Sequence, residues 1–149
     1  MTYEEALQYL DSFINYEKVD SYNYRSLLKL ERMRRLAALL GDPQRAAPAV
    51  HVAGTKGKGS TAAYIYSILK AANFKVGLYT SPHLMSFRER IRINDPSTLC
   101  LISEEDIARI LNKIKNVIET FMKDDRPSLF EVCTILACLY FEEKNIDFA

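Results

Sequence analysis

The residues of this chain that are best placed to do chemistry lie between positions 54 and 61, where the sequence is Gly-Thr-Lys-Gly-Lys-Gly-Ser-Thr. A short apolar run at residues 49–53 precedes them, and a helical pattern follows. A glycine loop between a strand and a helix directs successive backbone N–H groups at one point, beside the positive end of the helix dipole. Lys58 adds a mobile positive charge, and Ser60 adds a hydroxyl at the helix start. The segment therefore predicts a nucleotide-phosphate site.

The loop departs from the strict Walker A pattern, G-x-x-x-x-G-K-[ST]. Gly54 and Gly59 hold its first and sixth places, but Ser60 stands where that pattern requires lysine. In the form G-T-x-G-K-G-S, the lysine is Lys58. A dinucleotide-binding fold would need G-x-G-x-x-G and an acidic residue about 20 positions later, near Ser81, where the sequence has none. The residues favour a phosphate loop over a dinucleotide fingerprint.

The elements that must position this loop follow an α/β pattern. A capping box at Thr2 predicts a first helix to about Tyr16, and a 3.6-residue period predicts a second helix from residue 27 to residue 40, stopped by Gly41. Residues 49–53 and 76–80 are predicted strands flanking a helix, which makes a βαβ unit with a parallel pair.

Four further elements are predicted after this unit. Residues 88–94 alternate in polarity and predict a strand; an amphipathic helix follows Ser103, and an apolar helix spans 129–143. Residues 145–149 resemble the first half of a third parallel strand, so we expect a fragment of a larger sheet.

Composition and charge exclude several classes. The chain has 149 residues, 48% of them hydrophobic, and a net charge of +1, which is typical of one globular domain and not of a chain-wide polyanion binder. Residues 49–94 nevertheless carry seven basic residues and one acidic residue, which favours an anion there over a merely solvated face. No aromatic stacking platform accompanies these charges, so we expect no nucleic-acid partner.

The sequence also bears on compartment. No apolar run approaches the roughly 20 residues that cross a bilayer, and the N-terminus lacks the pattern of a signal peptide. Three cysteines without a C-x-x-C pair argue against a disulfide framework or a structural zinc site. We expect a cytoplasmic protein with no membrane partner.

Four segments in this order, HVAGTKGKGST, LYTSPHL, RERIRIN and PSLFE, together with LKLERM near the start, resemble the folylpolyglutamate synthase and dihydrofolate synthase branch of the Mur ligase superfamily. The resemblance implies an α/β fold with a P-loop-type parallel sheet flanked by helices, the Mur ligase central ATP-binding domain, incomplete at the C-terminus. Residues 1–48 would be a helical preface of the same domain, and residues 49–149 its first part. The rest of the central domain and the C-terminal glutamate-ligase domain would be absent.

The resemblance also implies an activity. Such ligases use ATP and Mg²⁺ to convert a folate or dihydropteroate carboxylate into an acyl phosphate, which the amino group of L-glutamate attacks to form an amide. We expect the 149 residues alone to be inactive and the full-length protein to be monomeric. The alternatives are a cell-wall Mur ligase, which usually lacks the glycine found here as Gly59, and a non-catalytic ATP-binding module from a truncated ligase gene.

Site residues follow from the same resemblance. Lys58 would be catalytic, on the β- and γ-phosphates, and Ser81 and Glu131 would be Mg²⁺ ligands. The ATP-binding residues would be Gly54, Thr55, Lys56, Gly57, Lys58, Gly59, Ser60 and Thr61. The substrate-binding residues would be Leu28, Lys29, Leu30, Glu31 and His83.

Two of the candidate sites have a structural alternative. Ser128 and Glu131 form a capping-box pattern, so Glu131 could simply cap a helix, although a lone carboxylate on an apolar helix is costly to bury without a cation. Arg88, Arg90 and Arg92 alternate along one predicted strand, where they could meet the carboxylates of a glutamate tail or protect a sheet edge.

Overall fold

The computed structural model describes residues 1–18, 29–94, 100–121 and 125–149. Helices and strands alternate along most of these ranges. The α-helices are α1 (Tyr3–Asp11), α2 (Leu30–Leu39), α3 (Lys58–Ala71), α4 (Glu104–Thr120) and α5 (Leu129–Glu143). The strands are β1 (Gly77–Tyr79) and β2 (Ile91–Ile93), and short 3₁₀ turns span Tyr16–Lys18, Pro43–Arg45 and Phe87–Arg90.

Three helices begin where side chains cap them. Thr2 opens α1 and Ser128 opens α5, each in a full capping box, and the Ser103 hydroxyl accepts from the Asp106 N–H at the start of α4. Each cap satisfies N–H groups that the helix itself leaves unpaired. The predicted starts of these helices are therefore confirmed.

Helix α1 is shorter than predicted, because it ends at Asp11 and not near Tyr16. The chain leaves the helix to dock on α5: the Ile14 carbonyl accepts a hydrogen bond of 3.0 Å from the N–H of Leu129. Phe13 is buried although it lies beyond the end of the helix. The apolar spacing therefore predicted its burial correctly but predicted too long a helix.

The core is formed by α4 and α5 with α1 packed against both. One face of α4 is fully buried, as its period predicted: Ile107, Ile110, Leu111, Ile114 and Ile118 have no exposed area. Helix α5 is buried on nearly every side, which also agrees with its all-apolar sequence. Ala6 and Leu10 bring α1 onto this pair.

The sheet differs from the prediction. Strand β1 pairs antiparallel with β2, with Leu78 opposite Arg92, and residues 49–53 are not assigned as a strand. The predicted parallel neighbours are separated by residues 148–149: Phe148 bridges Val76 in parallel, while the Ala149 carbonyl accepts from Val50 at 2.9 Å. The predicted direct parallel pair is therefore wrong, and a P-loop sheet is not confirmed within the described ranges.

The three arginines do not share one strand. Arg88 and Arg90 lie in a 3₁₀ turn, and only Arg92 lies in β2. Arg88 Nε donates to the Ile102 carbonyl at 2.7 Å, and Arg92 Nε donates to the Glu89 carbonyl at 3.1 Å. The predicted row of arginines on one strand face is wrong, because the capping box at Ser86 turns the chain before the strand begins.

The buried side chain of Arg90 instead pairs with the partly exposed Glu17. Its Nη1 and Nη2 atoms donate to the two carboxylate oxygens at 3.1 and 2.6 Å, and its side chain is 2% exposed. Burial raises the pKa of Glu17, but the hydrogen bonds and positive charge of Arg90 outweigh it, so this pKa lies below its usual value. The pair ties the turn after α1 to the turn before β2.

No helix among the described residues is long and apolar enough to cross a membrane.

Gly77, in β1, lies against the side chains of Phe141 and Ile146, and we expect Gly77→Ala to destabilise the fold. A Cβ there would lie 2.7 Å from Phe141 Cε1 and 2.8 Å from Ile146 Cδ1. Overpacking of this kind costs about 1–3 kcal/mol, measurable by urea unfolding. Gly59→Ala is the control, because a Cβ at Gly59 meets no atom within 4 Å. Equal midpoints for Gly77→Ala and the unsubstituted chain would contradict the close approach.

Glu17→Gln should lower the free energy of unfolding by about 2 kcal/mol at pH 7, because Arg90 keeps its buried charge and loses its counter-charge. The folded-state pKa of Glu17 is lowered, so its contribution is present at neutral pH and is lost as the pH falls through that value, below 4.5. The difference between the two proteins should therefore shrink on acidification, as followed by urea unfolding from pH 7 to pH 3.

The control for this measurement is Glu31→Gln, which removes an exposed carboxylate 3.7 Å from Arg34. Such a surface pair contributes about 0–1 kcal/mol. A pH-independent difference for Glu17→Gln would show that the carboxylate charge is not what stabilises the pair.

Candidate functional site

The glycine loop has the backbone geometry that its glycines predict. Gly57 is the N-cap of α3 with φ +77°, and Gly54 has φ +150°, conformations that L-residues with a Cβ rarely adopt. Because glycine has no side chain, it leaves the first N–H groups of α3 without the side-chain cap that Thr2 supplies to α1 and Ser128 supplies to α5. This helix start is therefore open to an anion.

Lys58 is the first residue of α3, and its side chain folds back over the loop. Its Nζ atom donates to the carbonyl of Gly54 at 2.7 Å and to that of Thr55 at 3.4 Å. The ammonium group thus lies above the loop, and rotation of exposed side-chain bonds can move it to a phosphate. Lysine suits this task because its charge is compact and its stem flexible.

All eight predicted phosphate-binding residues lie together in one exposed segment that comprises the loop and the first turn of α3. Lys56 and Thr55 are in the loop, while Ser60 and Thr61 are in the helix, whose Thr61 N–H donates to the Gly57 carbonyl at 3.0 Å. The predicted grouping follows from chain continuity, and the structure adds the open helix end.

Ser81 is exposed in the loop after β1, and His83 is half-buried in the same loop. The Nδ1 atom of His83 accepts a hydrogen bond of 2.9 Å from Arg90 Nε, and its ring meets Phe87 edge-on at 5.9 Å. Since arginine can only donate, Nδ1 carries no proton, and a neutral His83 presents its proton on Nε2. The ring is held in one orientation.

A cleft of about 440 Å³ lies beside His83, between α1, this loop and the start of α5. Its apolar lining includes Leu7, Leu10, Phe87 and Leu129. Its polar lining includes Asp11, Asn15, Glu17, His83 and Arg90. None of residues 54–61 lines it. An apolar floor with a few oriented polar groups is the usual form of a small-molecule site.

Glu131 has a different environment from the predicted metal site. It is 4% exposed, and its oxygens accept from Arg32 Nε at 2.9 Å and Arg32 Nη2 at 2.7 Å. Ser128 adds donors from its backbone N–H at 2.7 Å and its hydroxyl at 2.8 Å. The capping-box alternative is confirmed, and the buried carboxylate already has a cation.

A magnesium site built on Glu131 therefore does not fit the residues present. Its oxygens already accept four hydrogen bonds, and a carboxylate paired with Arg32 is not the uncompensated charge on which the prediction depended. Within the described ranges, no three His, Cys, Asp or Glu side chains are grouped as a metal site.

The predicted substrate-contacting stretch lies at the start of α2. Lys29 precedes the helix and pairs with Asp125 at 2.8 Å, Leu30 is 65% exposed, and Glu31 is exposed. Leu28 lies outside the described residues. The side chain of Leu30 is therefore accessible to a ligand.

Sequence reasoning missed Arg32 and the Arg90–Glu17 pair. One signal was available for Arg32: it lies four residues before Leu36, on the stripe of α2 that faces the core. A charged residue on such a stripe needs a buried partner of opposite sign. The identity of that partner was not readable, because Glu131 is 99 residues away.

Comparisons with known proteins agree on one family, although no family model matches the chain. A dihydrofolate synthase/folylpolyglutamate synthase of Bacillus subtilis is 42% identical over 122 residues, which are 80% of this chain and 27% of that protein. The crystal structure of folylpolyglutamate synthase from Thermotoga maritima superposes with a TM-score of 0.83 and 39% identity, over 99% of this chain and 32% of that one.

A further solved structure, a folylpolyglutamate synthase complex with AMPPCP and folate, has a TM-score of 0.76 and 33% identity, over 100% of this chain and 34% of that one. The chain spans about a quarter to a third of the length of these proteins. Its fold has the α/β character of these structures. On sequence and structure together, the chain belongs to the folylpolyglutamate synthase and dihydrofolate synthase family.

Proposed function

We propose that this chain is part of an ATP-dependent ligase that adds L-glutamate to the carboxylate of a folate or dihydropteroate. In this proposal residues 54–61 bind the nucleotide phosphates, and the cleft beside His83 receives the folate-type substrate. The observation that carries the proposal is the open, glycine-capped start of α3 with Lys58 above it, in a chain whose structural relative was solved with AMPPCP and folate.

The reaction places definite demands on the loop. A substrate carboxylate oxygen attacks the γ-phosphorus of ATP and ADP leaves; the glutamate amine then attacks the acyl carbon and expels phosphate. The phosphoryl transfer and the later loss of phosphate from the acyl carbon both move negative charge onto phosphate oxygens, so catalysis depends on positioned positive charge. Lys58 and the unpaired N–H groups at the start of α3 would supply it, on the β- and γ-phosphates.

Mg²⁺ is the ion that ligases of this kind use with ATP, and it would neutralise part of the phosphate charge. Ser81 remains a proposed ligand, since its hydroxyl is exposed in the loop after β1. We assign no step to a metal held by Glu131.

We also propose that residues 49–149 are the beginning of a P-loop-type ATP-binding domain that includes residues 1–48. The parallel bridge between Val76 and Phe148, and the hydrogen bond from Val50 to the Ala149 carbonyl, support a sheet of this type. The partly buried Arg90–Glu17 pair and the packing of α1 on the core support one domain. We expect the full-length protein to be monomeric and cytoplasmic. The Cys133 thiol is unreactive, because burial raises its pKa to about 12.

Lys58→Ala should weaken MgATP binding by about tenfold or more, because a charge-assisted contact to phosphate is lost. Isothermal calorimetry on the 149-residue chain measures this directly. Lys70→Ala is the matched control, since Lys70 is an exposed lysine in the last turn of the same helix. Equal losses in both variants would indicate general charge attraction, and no loss in Lys58→Ala would refute the assigned phosphate site.

His83→Ala should weaken binding of dihydropteroate by about fivefold, the effect of one lost lining contact of roughly 1 kcal/mol. His51, the other of the chain's two histidines, is exposed and does not line the cleft, so His51→Ala is the control. Binding is followed by the intrinsic fluorescence of the pterin. An affinity unchanged by His83→Ala would remove the cleft from the substrate site.

A further inference from the structure

The first turn of α2 is held by ion pairs from a distant part of the chain. Lys29 is its N-cap residue and forms no side-chain cap hydrogen bond. Instead, Lys29 Nζ lies 2.8 Å from Asp125 Oδ1, and Arg32 Nη1 lies 2.9 Å from the same oxygen. A helix start without its own cap depends on such external contacts for a defined position.

Arg32 continues this connection to Glu131. Its Nε and Nη2 atoms donate to Oε1 and Oε2 at 2.9 and 2.7 Å, the two-pronged geometry of a strong arginine–carboxylate pair. Both side chains are 6% exposed, so the pair is shielded from solvent and salt. Ser128 donates twice more to Oε2, which locks the carboxylate to the first turn of α5.

The four charged groups balance one another. Two cations, Lys29 and Arg32, face two anions, Asp125 and Glu131. A divalent cation at Glu131 would have to displace Arg32 and leave a guanidinium buried without a counter-charge, which is more costly than the pair itself. The four charges of the cluster therefore offer a divalent ion no net negative charge.

We infer that Arg32, and not Mg²⁺, is the counter-charge of Glu131, and that Lys29, Arg32, Asp125 and Glu131 form a clamp that positions the start of α2 against the start of α5. The clamp fixes the stretch that carries the exposed residues Leu30 and Glu31. Only the statement that this stretch contacts substrate rests on the proposed function.

The first test is Mn²⁺ binding, measured by electron paramagnetic resonance with MnCl₂ alone and with MnATP. Glu131→Gln should bind Mn²⁺ within about twofold of the unsubstituted chain, or neither protein should bind it, because the carboxylate is not a ligand. A tenfold or greater loss in a variant with unchanged circular dichroism would overturn the inference.

Because Glu131→Gln also weakens the cap of α5, a second measurement uses the unsubstituted protein. Mn²⁺ broadens the NMR signals of amides near its binding site. The amides of residues 128–132 should not broaden selectively during a MnCl₂ titration. Selective broadening there would place the ion on Glu131 and overturn the inference without any variant.

The second test addresses positioning, through hydrogen exchange of the Arg32 and Met33 amides, which donate to the Lys29 carbonyl at 3.1 and 3.4 Å. Asp125→Asn should accelerate their exchange about tenfold and leave α4 unchanged, because it loosens one end of the clamp. Asp106→Asn is the matched control: it removes a carboxylate that pairs with Arg109 at 2.7 Å and Lys144 at 3.3 Å at the start of another helix.

Equal exchange at Arg32 and Met33 in the Asp125→Asn and Asp106→Asn variants would refute the clamp. These tests contain no folate, and the amide and MnCl₂ measurements contain no nucleotide. Their outcome is therefore independent of whether the proposed ligase function is correct. In a chain that binds dihydropteroate, Asp125→Asn should lower the affinity for dihydropteroate about fivefold and leave the affinity for MgATP unchanged. General destabilisation would lower both affinities.

Discussion

Burial of α5 on nearly every side is the constraint on which the rest of this structure depends. The helix carries ten buried residues, and α1, α4 and β1 each pack against it. A helix that is apolar all round is stable only when other elements cover it completely. The elements that cover α5 come from all parts of the chain, so the burial of α5 determines where those elements pack.

The start of α5 also determines where the N-terminal residues lie. Its first amide, from Leu129, bonds the Ile14 carbonyl, and its third residue, Glu131, pairs with Arg32. Together with the Arg90–Glu17 pair, these contacts join the N-terminal part of the chain to residues 73 to 115 positions away. Each buried charge requires a partner of opposite sign, so these pairs specify one docking arrangement and exclude displaced ones.

The phosphate loop has a different character from this interior. It is exposed, contiguous and shaped by glycines, whereas the cleft beside His83 is assembled from α1, the loop after β1 and the start of α5. None of the loop residues lines the cleft. A nucleotide in the loop and a folate-type substrate in the cleft would therefore be held by separate groups, and their reacting atoms would have to meet between them.

What the sequence by itself determined is local. The starts of α1, α4 and α5, the amphipathic face of α4 and the glycine loop before α3 depend on residues within about four positions of one another, so spacing alone predicts them. The same locality explains why the capping role of Glu131 was readable from Ser128, three residues before it. Relatives then identify the family to which these local patterns belong.

Only the tertiary structure decided which distant groups meet. Strand β1 pairs with β2, and residues 148–149 lie between residues 49–53 and 76–80, which the sequence pattern predicted to be neighbours. Arg32 pairs with Glu131, a partner that the residues near Glu131 in the sequence did not indicate. Strand pairing and buried ion pairing join residues far apart in the chain, and many pairings satisfy the same polarity pattern. The choice among them depends on packing of the whole core, which no window of sequence contains.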